Sequence, residues 1–367
     1  FPIILVSRAE RSHNASDNAI IIAERRAERR RFFTKTVSFA RPAAIIIGVM
    51  ATTAGAAKAR FKNFSGYKDF EDHFLALCEN AKVPAEISKI GESVEGRAIW
   101  TVSLGDADPS APGVLYSSLT HGHEFVAGDM CLDVLRWFLS PENRDASIEM
   151  LSRARAHFLP VANPDANERA HRELRKYGVS FARKNANGVD LNRNFPAHFY
   201  PEGGSPVMAS NLPFTLVYRG EGPLSEPESR AFRDFVEKTP LRASLAIHSP
   251  GRFIGYPFCH TNAPCPHSKE MRAIADAMRA RQPFFKYRVG SEFTYLPTSG
   301  DLDDWLYEEH GIFAFLLEVG KLGLRFEDPA TWLNMYAWCN APEAEKEIAN
   351  NLDACVYFAR WAAGLEK

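Results

Sequence analysis

The sequence predicts an α/β fold: a single domain in three layers, helices on both sides of a mixed, mostly parallel central sheet. Three observations carry this. Short apolar runs alternate along the chain with stretches of helical spacing. The most apolar runs, 114–119, 245–247 and 312–317, show no polar alternation, as expected of strands buried on both faces. And four runs end abruptly in polar residues, namely His121/Glu124, Asn163-Pro164-Asp165, His248 and Glu318. An open α/β sheet builds its binding crevice at such carboxyl ends.

Composition sets the outer bounds. A chain of 367 residues buries a sizeable core, and a formal net charge of -1 excludes a whole-chain bias towards nucleic acid or acidic surfaces. Six dispersed cysteines without Cys-x-x-Cys spacing speak against a cysteine-based zinc site. Cys259 and Cys265 are near enough to close a small loop, and buried free thiols are equally compatible with the spacing.

Residues 1–59 form a basic segment set apart from the 60–367 domain. The run Arg29-Arg30-Arg31-Phe32-Phe33-Thr34-Lys35 resembles a twin-arginine export signal. It precedes a mildly apolar stretch, 43–55, too short to span a bilayer, and small-x-small cleavage geometry at 54–59. The expectation is a periplasmic or secreted protein, or a cytoplasmic one if translation starts at Met50. The segment is unlike an activation propeptide.

Within the domain, 67–80 has helical spacing through Phe70, Phe74 and Leu77, and 86–90 and 98–104 read as strands around a Gly-bounded turn. The strand at 114–119 leads through His121 into a helix at 125–139. A strand at 156–162 ends in Asn163-Pro164-Asp165, and Gly-, Pro- and Asn-rich loops occupy 185–194 and 201–223. Ser225 is the expected N-cap of a helix at 226–238. A short strand at 245–247 runs into His248, a helix covers 268–280, the strand at 312–317 meets Glu318, and a helix at 343–365 closes the chain.

His121 and Glu124, three apart at the start of a helix, can face the same way. An imidazole and a carboxylate so placed are two of the three protein ligands of an open His2Glu zinc site. A second His-x-x-Glu, His267 and Glu270, lies in a Pro- and Cys-rich stretch that reads as a surface loop.

From about Phe64 onward the sequence resembles the zinc carboxypeptidases of the A/B type. The resemblance rests on His121-Gly122-His123-Glu124, Asn163-Pro164-Asp165, Arg183-Lys184-Asn185, Gly188 to Phe195, Gly222 to Glu228, Ile247-His248-Ser249, Asp304-Trp305 and Leu317-Glu318-Val319, in the family's order and spacing. It implies His121, Glu124 and His248 as ligands of one zinc ion, Glu318 as general base and Arg183 facing the developing oxyanion. It implies Asn192 and Arg193 holding the substrate's terminal carboxylate, Tyr295 covering bound substrate, and Asp303 as side-chain selector favouring a basic C-terminal residue. The implied partner is a peptide with a free C-terminal carboxylate, hydrolysed by a monomer without membrane insertion. An amidase of the same fold acting on cell-wall peptides is the alternative. His123 and Pro250 depart from the arginine and tyrosine common in the family, which bears on subsites distant from the scissile bond. A silent binding module is disfavoured because all three ligands and Glu318 are kept.

Overall fold

A computed structural model describes residues 64–108, 110–200, 208–340 and 342–366. The basic segment and its export-signal reading lie outside the described residues. In order the elements are α1 (Tyr67–Glu79), β1 (Ala85–Glu92), β2 (Ala98–Leu104), β3 (Gly113–Ser118), α2 (Phe125–Leu139), α3 (Arg144–Leu151), β4 (Ala156–Leu159) and α4 (Pro164–Tyr177). There follow α5 (Pro227–Lys238), β5 (Leu241–His248), β6 (Phe253–Tyr256), α6 (Ser268–Ala280), β7 (Arg288–Ser291), α7 (Leu302–His310), β8 (Phe313–Glu318), α8 (Met335–Cys339) and α9 (Ala344–Ala362).

The eight strands form one sheet in the order β1-β2-β4-β3-β5-β8-β6-β7. Its centre, β4-β3-β5-β8, is parallel, while β1/β2, β2/β4 and β6/β8 are antiparallel. Alternate residues of the central strands serve opposite faces. Val114, Tyr116, Leu245, Ile247, Phe315 and Leu317 join the core under α1, α2, α6 and α9. Leu115, Ala246 and Ala314 join the smaller core under α5 and α7, where Trp305 stacks on Phe195 with ring centroids 5.2 Å apart. Period-2 side chains with apolar residues on both faces are what a sheet between two helical layers requires. Phe315, fully buried three residues before Glu318, shows what this packing is worth: truncation to Ala at such a site costs ~3–5 kcal/mol.

Two sequence expectations are corrected. The strand 156–162 stops at Leu159, and Asn163 is a helix cap, its side chain accepting a hydrogen bond from Ala166 N at 3.1 Å with Pro164 in the first turn of α4. Asp165 turns to Arg97 Nη1 (2.7 Å), Ser93 Oγ (2.6 Å) and Glu95 N (2.9 Å), so this polar strand end is structural. Ser225 does not cap α5. Pro227 sets the first turn, Glu226 takes the cap position, and Ser225 Oγ instead donates to Glu226 Oε1 and accepts from Asn194 Nδ2. All six cysteines are buried free thiols. No helix among the described residues is long and apolar enough to cross a membrane.

Candidate active site

Three polar strand ends do converge. β3, β5 and β8 are adjacent and parallel, and His248 and Glu318, each the last residue of its strand, are register partners. The chain leaves β3 through Leu119 in the left-handed region (φ 48°) and delivers His121, while Glu124 takes the N-cap position of α2. Gly122 is required between them: a Cβ there would meet Ala166 C at 2.2 Å.

Glu124 is wedged between two imidazoles. Its Oε1 is 2.7 Å from His121 Nδ1 and its Oε2 is 2.9 Å from His248 Nδ1, with all three residues buried. One ligand atom from each lies within 4.8 Å of the others, and two imidazole nitrogens with a carboxylate are the donors a zinc ion takes. His121 Nε2 faces Asp190 Oδ1 at 3.1 Å, the carboxylate–histidine contact that fixes a metal ligand's tautomer and ring plane. The donor set and its support therefore fit a zinc ion. The pair His267/Glu270 has no such setting: His267 Nδ1 is 2.8 Å from Tyr307 Oη.

Burial works against charge throughout this cluster, and neighbouring opposite charges override it. His248 is pushed down by burial but raised by Glu124, Glu318 and Asp303 to about 9. Glu124 is desolvated, yet His121 and His248 hold it well below the usual carboxylate range. Glu318 differs. Burial and then the Glu124 charge push it up to about 8, against the pull of His248, Arg183 and Arg193, and its Oε2 has no hydrogen-bond partner among the described residues. A cation at the neighbouring ligands draws that value down, towards the range useful to a general base.

Arg183 donates from Nε (2.9 Å) and Nη2 (2.8 Å) to Asp190 Oδ2, which leaves Nη1 beside the cluster, 3.9 Å from Glu124 Oε1. Asp190, buried and well below its ordinary pKa because Arg183, His121 and Arg193 outweigh desolvation, thus ties Arg183 to His121. Its role was not assigned from sequence; the signal was an Asp inside the intact Gly188-to-Phe195 string.

His121, Glu124, Arg183, His248 and Glu318 line a solvent-open cleft together with Asn192, Arg193 and Tyr295. Asn192 Oδ1 accepts from Leu302 N at 3.1 Å. Tyr295 lies on Phe253 (4.8 Å, 14°) with its hydroxyl donating to Pro250 O at 2.5 Å. Asp303 is the exception among the expected residues. It does not line the cleft; Cys259, Glu292, Thr298 and Asp301 do. The Asp303 carboxylate is 1% exposed and without a hydrogen bond, and the Asp301 N-cap of α7 stands in front of it in the chain, accepting from Asp303 N. Desolvation, Asp301 and Asp304 push Asp303 well above the carboxylate range, and desolvation, Asp303 and Asp301 do the same to Glu292.

A three-layer α/β fold thus carries a His2Glu donor set, an unpartnered carboxylate oxygen and a cleft at the ends of its parallel strands. The zinc carboxypeptidase family profile matches residues 75–337, and the chain belongs to that family. It is 29% identical to human carboxypeptidase B over 65% of this chain and 59% of that protein, and 28% identical to mouse carboxypeptidase A4 over 64% and 57%. The chain thus spans under two thirds of the length of these relatives. In structure it is similar to carboxypeptidase A from Helicoverpa armigera, with a TM-score of 0.68 at 22% identity over 88% of this chain and 81% of that one.

Proposed function

We propose that the protein is a zinc-dependent carboxypeptidase that hydrolyses the C-terminal peptide bond of peptides and prefers a basic C-terminal residue. The observation that supports it best is the meeting of His121, Glu124 and His248 beside Glu318, whose Oε2 is buried and unpartnered. A zinc ion held by the two histidines and Glu124 supplies Lewis acidity, polarising a carbonyl oxygen and acidifying a water molecule.

The remaining chemistry belongs to the chain. Glu318 takes the proton of the attacking water and carries it to the leaving nitrogen. Arg183, its guanidinium fixed by Asp190, stabilises negative charge on the former carbonyl oxygen; one such donor is worth ~3–4 kcal/mol. Arg193, its Nε donating to Met208 O (2.6 Å) and its Nη1 to Asn192 O (2.5 Å), and the Asn192 amide take the terminal carboxylate. Tyr295 closes over the bound residue. The basic preference rests on the acidic floor: Glu292 and Asp301 on the cleft wall with Asp303 behind them. A buried carboxylate without a partner is costly, and a Lys or Arg side chain supplies the missing cation.

The same floor would read the free amine of a diamino acid, so the cell-wall amidase reading is tested alongside. Hippuryl substrates ending in Arg, Lys and Phe are compared with a cell-wall tripeptide. Highest kcat/KM on the Arg or Lys end supports the proposal; turnover of the tripeptide alone overturns it. Export is proposed from the Arg29-to-Lys35 run, and cell fractionation with mutated Arg30 and Arg31 tests it.

A further inference from the structure

We propose that His198, His260 and Glu308 form a second divalent-cation site, separate from the catalytic centre and behind the floor of the cleft. The three come from different segments: the loop following Arg193, the loop following Cys259, and α7. One ligand atom from each lies within 4.8 Å of the others. His198 Nε2 is 3.0 and 3.2 Å from the two Glu308 oxygens. The imidazoles of His198 and His260 lie face to face, centroids 3.4 Å apart and planes 19° from parallel. Stacked this way, the two in-plane lone pairs run side by side, so taking up an ion turns one imidazole out of the stack to bring its nitrogen onto the shared centre.

Two further features prepare the site. His260 Nδ1 is 2.8 Å from Oδ2 of Asp304, a carboxylate only 1% exposed and itself fixed by the backbone N–H groups of Cys259 and His260. With Nδ1–H donating there, the Nε2 lone pair is left for a ligand, the same support that Asp190 gives His121. His198 sits in the left-handed region (φ 50°), which glycine adopts more freely. Two imidazoles and one carboxylate select a borderline ion of the zinc type over calcium or magnesium, which take oxygen donors. Such an ion joins the three segments that carry Arg193, Cys259 and Asp301, and so holds the pocket wall together.

The test is zinc stoichiometry on the holoenzyme, read by metal analysis after equilibrium dialysis at rising free zinc and by thermal unfolding in parallel. The wild-type protein takes up a second ion more weakly than the first, and its Tm rises with that occupancy. His198→Gly, which relieves the left-handed backbone, and Glu308→Gln, at an exposed position, each keep the first ion. Each weakens the second by at least the ~10–100-fold that loss of an outer-shell partner costs a metal site. A wild-type protein that stops at one ion overturns the proposal. So do variants that still take up two, because the second ion then lies elsewhere. The outcome is independent of whether the chain cleaves peptides.

Discussion

Buried carboxylates occur at both ends of the cleft, and they are treated in opposite ways. At the catalytic end, Glu124 touches two histidines and Asp190 touches a histidine and an arginine, and both are held well below the ordinary carboxylate range. At the floor, among the described residues, Glu292 and Asp303 have no cation at salt-bridge distance, and Asp301 has Arg193 at 4.0 Å. All three are pushed up, by desolvation first and then by one another or by Asp304. The difference teaches what each region lacks. The first is internally neutralised and shaped for an ion that these partners orient. The second remains short of one positive charge, which a substrate side chain can bring.

The largest break in that contrast is at Arg183. Arg183→Ala should lower kcat ~10²–10³-fold, as loss of one oxyanion donor does, with a smaller change in KM; steady-state kinetics on the preferred substrate decides it. At the floor, Glu292→Gln should lower kcat/KM for an Arg-ended substrate roughly 30-fold more than for a Phe-ended one, corresponding to the ~2 kcal/mol lower limit for losing one partner of a buried charge pair. Asp303→Ala tests the position behind it in the same assay, and equal losses on both substrates would remove the floor from the selectivity account. Asp190→Asn should weaken zinc binding ~10-fold or more by loosening His121, read by competition with a chromophoric chelator.

The smallest effect is on stability, and its sign separates the two regions. Glu292 has a folded pKa raised above the ordinary value of 4.5. Above that pH the folded state holds more protons than the unfolded one, so stability falls as pH rises, by up to ~1.4 kcal/mol per unit for one proton. Glu292→Gln should therefore raise Tm at neutral pH and leave it nearly unchanged near pH 4. For Asp190, whose folded pKa is depressed, the relation inverts: its stabilisation is present above the ordinary carboxylate value and is lost as the pH falls through the folded one.

Much of this was legible in the chain. The strands β5 and β8 each stop at a buried ionisable residue, His248 and Glu318, and β3 leads on through Leu119 and Thr120 to His121, so the parallel centre and the cluster at its end could be read. The polar strand end at Asn163 misled, because an Asx-Pro cap before a helix looks the same in sequence as a functional strand terminus. The helix α4 itself was missed, since Pro164 to Tyr177 is rich in Arg and Glu and shows only a narrow apolar face. The edge strands β6 and β7, four residues each, fall below what period-2 patterning can reveal. Glu292 was illegible for another reason. Its meaning depends on Asp301, Asp303 and Cys259 arriving from two other segments.

The most direct test pairs two variants at register-partnered strand ends and measures zinc content with turnover. His248→Ala should lose both the ion and activity, whereas Glu318→Gln should retain one zinc per chain and lose ~10²–10⁴-fold in kcat, as removal of a general base does. A Glu318→Gln enzyme that turns over like wild type, or a His248→Ala protein that keeps its zinc and its rate, would contradict the account.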